Sequence, residues 1–168
     1  MKTRAFVVRP LALLIAGAIA ALPLSLRAQV APTPHPDHEA LLRSNDSTLA
    51  RNKRLVYDFW REVLEARHMD LAAKYLREDY IQHNPNVATG RQGFVDFFTR
   101  LGGPQPIAPK VKAPLISIVA EGDLVVLSFT REYPDPKDAT RKYTTTWFDM
   151  FRVRDGKIAE HWDSALKQ

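Results

Sequence analysis

The sequence predicts an α+β domain in which helices come first and an antiparallel sheet follows. Residues 48–101 place apolar side chains at helical spacing, interrupted by one short alternating run. From residue 115 onward, alternating runs separated by turn residues predict four consecutive strands. We therefore expect three helices packed on a curved sheet, with a pocket at the wide end of the resulting cone.

The first 28 residues resemble a secretory signal. Basic residues precede an apolar run of 12 residues, Leu11 to Leu22, and Pro23 ends that run. A membrane-spanning helix needs about 20 apolar residues. We therefore expect cleavage before Gln29, no stable membrane anchor, and an exported protein that is periplasmic or secreted.

Charge and composition exclude several classes of partner. Four of the 24 basic residues and none of the 19 acidic residues lie in the signal, which leaves 20 against 19. This near-neutral balance gives no basic surface for nucleic acid. The sequence has no Cys, so an exported form would rely on core packing rather than on disulfides. No phosphate-binding loop, zinc spacing or serine elbow is present, so no cofactor or metal is expected.

Residues 29–46 are predicted to form a flexible leader before a domain at 47–168. This segment contains three Pro residues and lacks apolar periodicity. His35 and His38 could bind a metal weakly, but no further ligand completes a recognisable spacing, so a solvated tail is favoured.

The helical half has recognisable boundaries. The range 48–66 predicts the first helix, and Asp70 is expected to cap a second, shorter one. The range 79–85 alternates and predicts a short strand. Thr89 and Gln92 resemble a capping box at the start of a third helix. The first helix carries a wide apolar stripe made of Leu55, Val56, Phe59, Trp60, Val63 and Leu64.

The sheet half begins with strands at 115–120 and 124–133, followed by a polar loop at 134–141. A third strand at 143–153 leads into Asp155-Gly156, a strong hairpin signal because Gly accepts the positive φ that the turn needs.

Two registers are open for this last hairpin. A three-residue loop with a Gly bulge pairs Val153 with Lys157 and sets Asp149 opposite His161, and we favour this register. A two-residue turn instead sets Asp149 opposite Trp162 and separates the polar residues. In the favoured register, Asp149, His161 and Asp163 share a face that Trp147, Phe151 and Val153 mark as buried.

The stretches EDYIQHNPNVATGRQGFVDFF (78–98) and FDMFRVRDGKIAEHWD (148–163) resemble the SnoaL-like polyketide-cyclase branch of the NTF2-like superfamily. The resemblance covers about residues 48–165. It implies cofactor-free acid/base chemistry of the aldol or isomerase kind on a small apolar substrate. Asp163 matches the acid/base Asp of the family's final strand. The same fold hosts many activities, so these motifs indicate the family more strongly than the reaction.

Two related chemistries fit less well. Ketosteroid isomerases place an Asp before a Pro, whereas this chain has Asn84-Pro85, and an amide does not accept a proton. The Arg-x-Asp element of epoxide hydrolases has no match at Arg131-Glu132-Tyr133.

The candidate catalytic residues are therefore Asp163, His161, Asp149 and His83. Alternation places His83 on one face of its strand and Gln82 with Asn84 on the other, and either face could meet the pocket. His83 or Asn84 would stabilise an enolate oxygen. The expected substrate-binding residues are Tyr80, Gln82, Asn84, Trp147 and Phe98.

Two other functions remain open. A buried His–Asp pair could be purely structural, in which case the protein would be a non-catalytic binding module for a hydrophobic small molecule. A homodimeric scaffold is the third possibility, because an apolar patch on the outer sheet could bind a second copy, with Val126, Phe148 and Trp162 as its candidates.

Overall fold

The computed structural model describes residues 30–168, so the predicted signal at 1–28 lies outside the described residues. Helices pack on one face of a single five-stranded sheet, which confirms the α+β class. No helix in the described part is long and apolar enough to cross a membrane. In the order β1-β5-β4-β3-β2, the strands are β1 (Leu76–Gln82), β5 (Lys157–Asp163), β4 (Asp138–Arg154), β3 (Leu124–Asp135) and β2 (Leu115–Glu121).

The sheet is mixed, so the expectation of a purely antiparallel sheet is wrong for one strand. Strands β2 to β5 form the antiparallel meander, but β1 pairs with β5 in parallel. A helix and the other three strands separate β1 from β5 along the chain, so no hairpin forces these two neighbours to be antiparallel. This pairing sets Gln82 beside His161.

The first long helix has the predicted extent but changes its geometry. Helix α2 (Ser47–Phe59) begins at Asp46, whose carboxylate accepts hydrogen bonds from the N–H groups of Thr48 and Leu49. It continues as a π-helix over Trp60–Glu65. The other α-helices are α1 (His38–Leu42), α3 (Ala72–Tyr75) and α4 (Arg91–Thr99).

Two predicted helix caps are wrong. Asp70 lies inside a 3₁₀ turn, Met69–Leu71, and no side chain caps that turn. The Thr89 hydroxyl donates to the backbone oxygen of Tyr80 on β1, and Gly90 is the N-cap residue of α4. Thr89 is thus already engaged by the strand, and Gly90 adopts φ 86°, which favours glycine.

Strand β1 also begins and ends earlier than predicted. It starts at Leu76, although the apolar spacing after Asp70 predicts Leu76 on the inner face of the second helix. It ends at Gln82 instead of at Pro85. Leu76 is fully buried and pairs with Ile158 of β5, so sheet packing overrides the helical spacing of this short segment.

The predicted polar loop at 134–141 is mostly strand. Strands β3 and β4 extend as a ribbon in which the rings of Tyr133 and Tyr143 stack with centroids 5.9 Å apart. Pro134 is tolerated because β2 pairs with β3 only as far as Phe129, which leaves the edge beyond it unpaired.

The predicted flexible leader is partly folded onto the domain. The Asp37 side chain caps α1, and Leu42 is only 5% exposed within the core. The His35 N–H donates to the backbone oxygen of Leu115, and His38 Nδ1 lies 2.9 Å from the Tyr57 hydroxyl. The three prolines favoured the prediction of a flexible segment, and these contacts have no signal in the sequence.

Candidate active site

The final hairpin follows neither predicted register. Asp155 and Gly156, with φ values of 51° and 70°, form a two-residue turn that pairs Arg154 with Lys157. A bulge between Arg152 and Val153 then shifts the pairing by one residue. The sequence carries no mark of this bulge.

The bulge keeps the polar residues together on the inner face. Beyond it, Asp149 pairs with Asp163 and Phe151 pairs with His161. Side chains alternate along a strand, so the shift restores the common face that a plain two-residue turn would have lost. The predicted polar cluster therefore forms by a different route.

These residues line a cavity of about 350 Å³ between the helices and the sheet. Its volume falls at the lower end of ligand-binding pockets, roughly 300–1,000 Å³. Its polar lining includes Tyr80, Gln82, Asn84, Asp149, His161 and Asp163, and its aromatic lining includes Phe59, Trp60, Phe94, Phe97, Phe98 and Trp147. All five predicted substrate-binding residues are among them.

His161 and Asp149 form a buried pair. His161 Nε2 lies 2.9 Å from Asp149 Oδ1, and the two residues are 8% and 4% exposed. Asp149 Oδ2 is buried with no hydrogen-bond partner among the described residues. Burial raises the pKa of Asp149, and the hydrogen bond from His161 opposes that rise without cancelling it.

Gln82 fixes the tautomer of His161. The Asn84 backbone N–H can only donate, and it donates to Gln82 Oε1 at 3.0 Å. The same oxygen lies 2.9 Å from His161 Nδ1, so Nδ1 must carry the hydrogen of that contact. The close approach of Nε2 to Asp149 then requires one proton shared between those two atoms.

Tyr80 is a neutral donor that faces the cavity. It is 1% exposed, and its hydroxyl accepts a hydrogen bond from Gln82 Nε2 at 3.0 Å. Burial raises the pKa of Tyr80 well above its ordinary value, and the charges of Asp163 and Asp149 raise it further. Its own hydrogen has no acceptor in residues 30–168, so it can be donated to a ligand.

Asp163 is held by Asn84 and by the chain that follows it. The Asn84 Nδ2 group donates to Oδ2 at 2.7 Å, and the Ala165 N–H donates to Oδ1 at 3.0 Å. The Asn84 amide is thus engaged with Asp163, so we assign it a positioning role instead of the predicted enolate contact.

His83 lies on the opposite face of the sheet, so its predicted pocket position is wrong. Its ring stacks on Trp162 with centroids 4.7 Å apart, and its Nε2 lies 3.3 Å from Glu160 Oε2. The parallel pairing of β1 with β5 turns Gln82 and Asn84 inward. Sequence alternation had grouped these residues correctly but could not choose the face.

The outer sheet face carries the predicted apolar patch. Val126, Phe148 and Trp162 lie together there, and Phe148 is 53% exposed. Pairing of two copies through this face stays a prediction.

The inner cluster also has the spacing of a cation site. One ligand atom each from Asp149, His161 and Asp163 can be chosen so that all three lie within 4.8 Å of one another. A divalent ion bound by all three would have to displace the proton between His161 and Asp149, because metal ligands bind in their deprotonated forms.

The raised pKa of Asp149 predicts a pH-dependent effect of Asp149→Asn. Because the pKa of Asp149 is higher in the folded state than in the unfolded state, the folded protein binds this proton more tightly. The proton therefore stabilises the fold fully below the unfolded pKa of 3.8, and this stabilisation is lost as pH rises through the folded-state pKa. Asn cannot ionise. The variant should therefore gain stability relative to wild type as pH rises from 4 to 8, measured by urea unfolding.

The control for this pH series is Glu78→Gln, which alters an exposed carboxylate on β1 that makes no side-chain hydrogen bond or ion pair within residues 30–168. The stability of this variant should follow that of wild type in parallel across the pH range. A difference between Asp149→Asn and wild type that stays constant with pH would contradict the assignment.

A model of the SnoaL-like domain family matches residues 56–161, which is more than half of the chain. The chain belongs to the SnoaL-like family. The match includes five of the six polar lining residues named above, and the sixth, Asp163, lies two residues beyond its end. No curated protein matches this SnoaL-like protein in sequence.

Several solved structures are similar to this chain at low identity. IdmH from Streptomyces antibioticus, described as a presumed polyketide cyclase, is 22% identical with a TM-score of 0.47, covering 67% of this chain and 89% of that one. An LEH-like epoxide hydrolase from M. tuberculosis is 19% identical with a TM-score of 0.48, covering 67% and 80%. An NTF2-like protein from Burkholderia pseudomallei is 16% identical with a TM-score of 0.47, covering 67% and 88%.

Proposed function

We propose that this SnoaL-like protein catalyses cofactor-free proton transfer at a carbon next to a carbonyl group, in an aldol cyclisation or an isomerisation of a small apolar substrate. The observation that supports this most directly is an anchored carboxylate, Asp163, in an aromatic cavity beside a buried His161–Asp149 pair. Ionisable groups in such a setting are costly to fold and are typical of acid/base sites.

The hydrogen bonds divide the two carboxyl groups between different roles. Asp149 is tied to His161 through the shared proton, so this pair adds no net negative charge. Within residues 30–168, Asp163 accepts hydrogen bonds only from amide N–H groups and shares no proton with another side chain. Asp163 is therefore the general base, and the shared proton moderates the negative charge that develops nearby.

Proton abstraction by Asp163 moves the electron pair of the C–H bond into the carbonyl group and forms an enolate. The Tyr80 hydroxyl donates a hydrogen bond to the enolate oxygen, as a preorganised donor in an apolar site does. In an isomerisation, Asp163 returns its proton to a different carbon. In an aldol closure, the enolate carbon instead attacks a second carbonyl carbon, and the new alkoxide takes the proton that Asp163 holds, which regenerates the base.

A simple ketone tests this function without knowledge of the natural substrate. The wild-type chain should accelerate deuterium incorporation next to the carbonyl of 2-tetralone in D₂O, followed by NMR. Absence of exchange, together with ligand binding that is unchanged in Asp163→Asn and His161→Ala, would favour the non-catalytic binding module instead.

Removal of the Tyr80 hydroxyl should slow this exchange. We expect Tyr80→Phe to lower its kcat by roughly 10²-fold, near the lower end of what one lost oxyanion donor costs. Tyr57→Phe is the control, since its hydroxyl contacts His38 and the Val111 N–H far from the cluster. Equal rates in both variants would remove Tyr80 from the mechanism.

We also propose that the enzyme acts outside the cytoplasm, on the basis of the basic and apolar composition of residues 1–28. Expression of the full chain in a Gram-negative host should yield a periplasmic product whose first residue is Gln29. A cytoplasmic product that retains Met1 would contradict this.

A further inference from the structure

Arg131 is a cationic side chain on the cavity that the proposed mechanism does not use. It follows Phe129 on the inner face of β3 and is exposed at the cavity lining. Within residues 30–168 it is the only Lys or Arg among the lining residues, and no hydrogen bond or ion pair engages it there. Its charge therefore has no counter-ion in the described part of the chain.

The position of the guanidinium is set by Trp147. The guanidinium carbon lies 4.6 Å from the centroid of the indole ring. A guanidinium that packs its face against an aromatic ring keeps its N–H edge available, and this edge matches the two oxygens of a carboxylate. The contact also restricts a side chain that is otherwise flexible, which lowers the entropic cost of binding an anion.

Arg131 lies at the other end of the cavity from the acid/base cluster. It pairs across the sheet with Thr145, whereas Asp149 is four residues farther along the same strand. At about 3.4 Å per residue, these positions are roughly 14 Å apart along β4. The aromatic lining lies between them, so one ligand could contact both ends.

We propose that the substrate is apolar around its reacting carbon and carries a carboxylate at its remote end, and that Arg131 binds this carboxylate. This inference rests on the proposed function, since it names the substrate class of the same cavity. An anion cannot approach the deep end favourably because Asp163 repels it, so a single cation at the mouth also orients the substrate. The cavity then selects aromatic or alicyclic oxo-acids over neutral ketones.

Two matched probes test the inference by binding alone. We would compare 2-tetralone-6-carboxylate with the uncharged 6-carboxamide by isothermal titration calorimetry at low salt. The wild-type chain should bind the carboxylate at least 10-fold more tightly than the amide. Arg131→Gln should reduce this preference to less than twofold, and Arg131→Lys should retain part of it, because it keeps the charge but loses the planar fork.

Arg141→Gln is the matched control. It removes the same charge from an exposed position on β4 that does not line the cavity, so the 10-fold preference should persist. Circular dichroism of each variant checks that the fold is kept. Equal affinity for the two probes, a preference that survives Arg131→Gln, or no binding of either probe at 1 mM would each overturn the inference.

The outcome is separable from that of the proposed function. Asp163→Asn should slow proton exchange by roughly 10²–10⁴-fold and still prefer the carboxylate probe. If Asp163 proves necessary for exchange but the carboxylate has no advantage, only the assignment of Arg131 fails. If the preference depends on Arg131 and no exchange occurs, the anion site stands and the catalytic proposal fails.

Discussion

Asp163→Asn should lower the rate of deuterium incorporation into 2-tetralone by roughly 10²–10⁴-fold, the range typical of a lost general base. Asn has the same shape but cannot accept the proton. Its single amide oxygen can keep only one of the two hydrogen bonds, because Asn84 Nδ2 donates to Oδ2 and the Ala165 N–H donates to Oδ1. The lost hydrogen bond should cost about 1 kcal/mol in the free energy of unfolding, and the loss of activity should appear in kcat and not in ligand affinity.

A second variant tests whether the loss of exchange is specific to the proposed base and not a general effect of changing the sheet. His83→Ala removes a side chain from the outer face, where it contacts Trp162 and Glu160. It should leave the exchange rate within about twofold of wild type. Exchange at the full rate in Asp163→Asn would show that the base lies elsewhere, and His161 would be the first candidate.

The fold was predictable to the extent that it depends on periodicity. The apolar stripe of α2 and the alternation in β4 are long and regular, so one or two residues that break the pattern do not hide it. The predictions of short elements were wrong where tertiary contacts decide which structure a segment adopts. Leu76 has the spacing of a helix but pairs with Ile158, and Thr89 precedes a helix but binds the preceding strand.

The members of the site were predictable, but several of their roles were not. Asp149, His161 and Asp163 could be grouped because polar residues on a buried strand face are conspicuous. The function of Gln82 depends on β1 lying parallel to β5, which brings it to His161. These two residues are hydrogen-bonded although they are 79 positions apart in the sequence. In the sequence, Arg131 stands only in a tripeptide that does not match the Arg-x-Asp motif, and no sequence pattern reveals its contact with Trp147.

The bulge in the last hairpin shows why a correct cluster can follow from a wrong register. A shift of one residue in the pairing exchanges the two faces of a strand. The observed turn and bulge together shift the pairing by two residues from the favoured register, so each side chain stays on its predicted face. Burial of Phe151 and Val153 requires their face to point inward, and this requirement carries Asp149 with it. The hydrophobic pattern therefore constrains the face more strongly than the turn sequence constrains the pairing.

The largest expected loss of stability follows from the aromatic floor of the cavity. Phe59 is 1% exposed at the end of α2, and its ring lies 5.7–5.9 Å from the rings of Tyr75, Phe94 and Phe151. Phe59→Ala removes these contacts and leaves a void that rigid neighbours cannot fill. We expect a loss of about 3–5 kcal/mol in the free energy of unfolding, measured by urea denaturation.

Phe148→Ala is the matched control because it makes the same change on the outer face, at a residue that is 53% exposed. It should cost no more than about 0.5 kcal/mol. Phe59 also lines the cavity, so Phe59→Ala should bind bulkier ketones than wild type does if the chain still folds. Similar losses in the two variants would mean that the helices do not pack on the sheet as described, and the cavity that holds Asp163 would lose its floor.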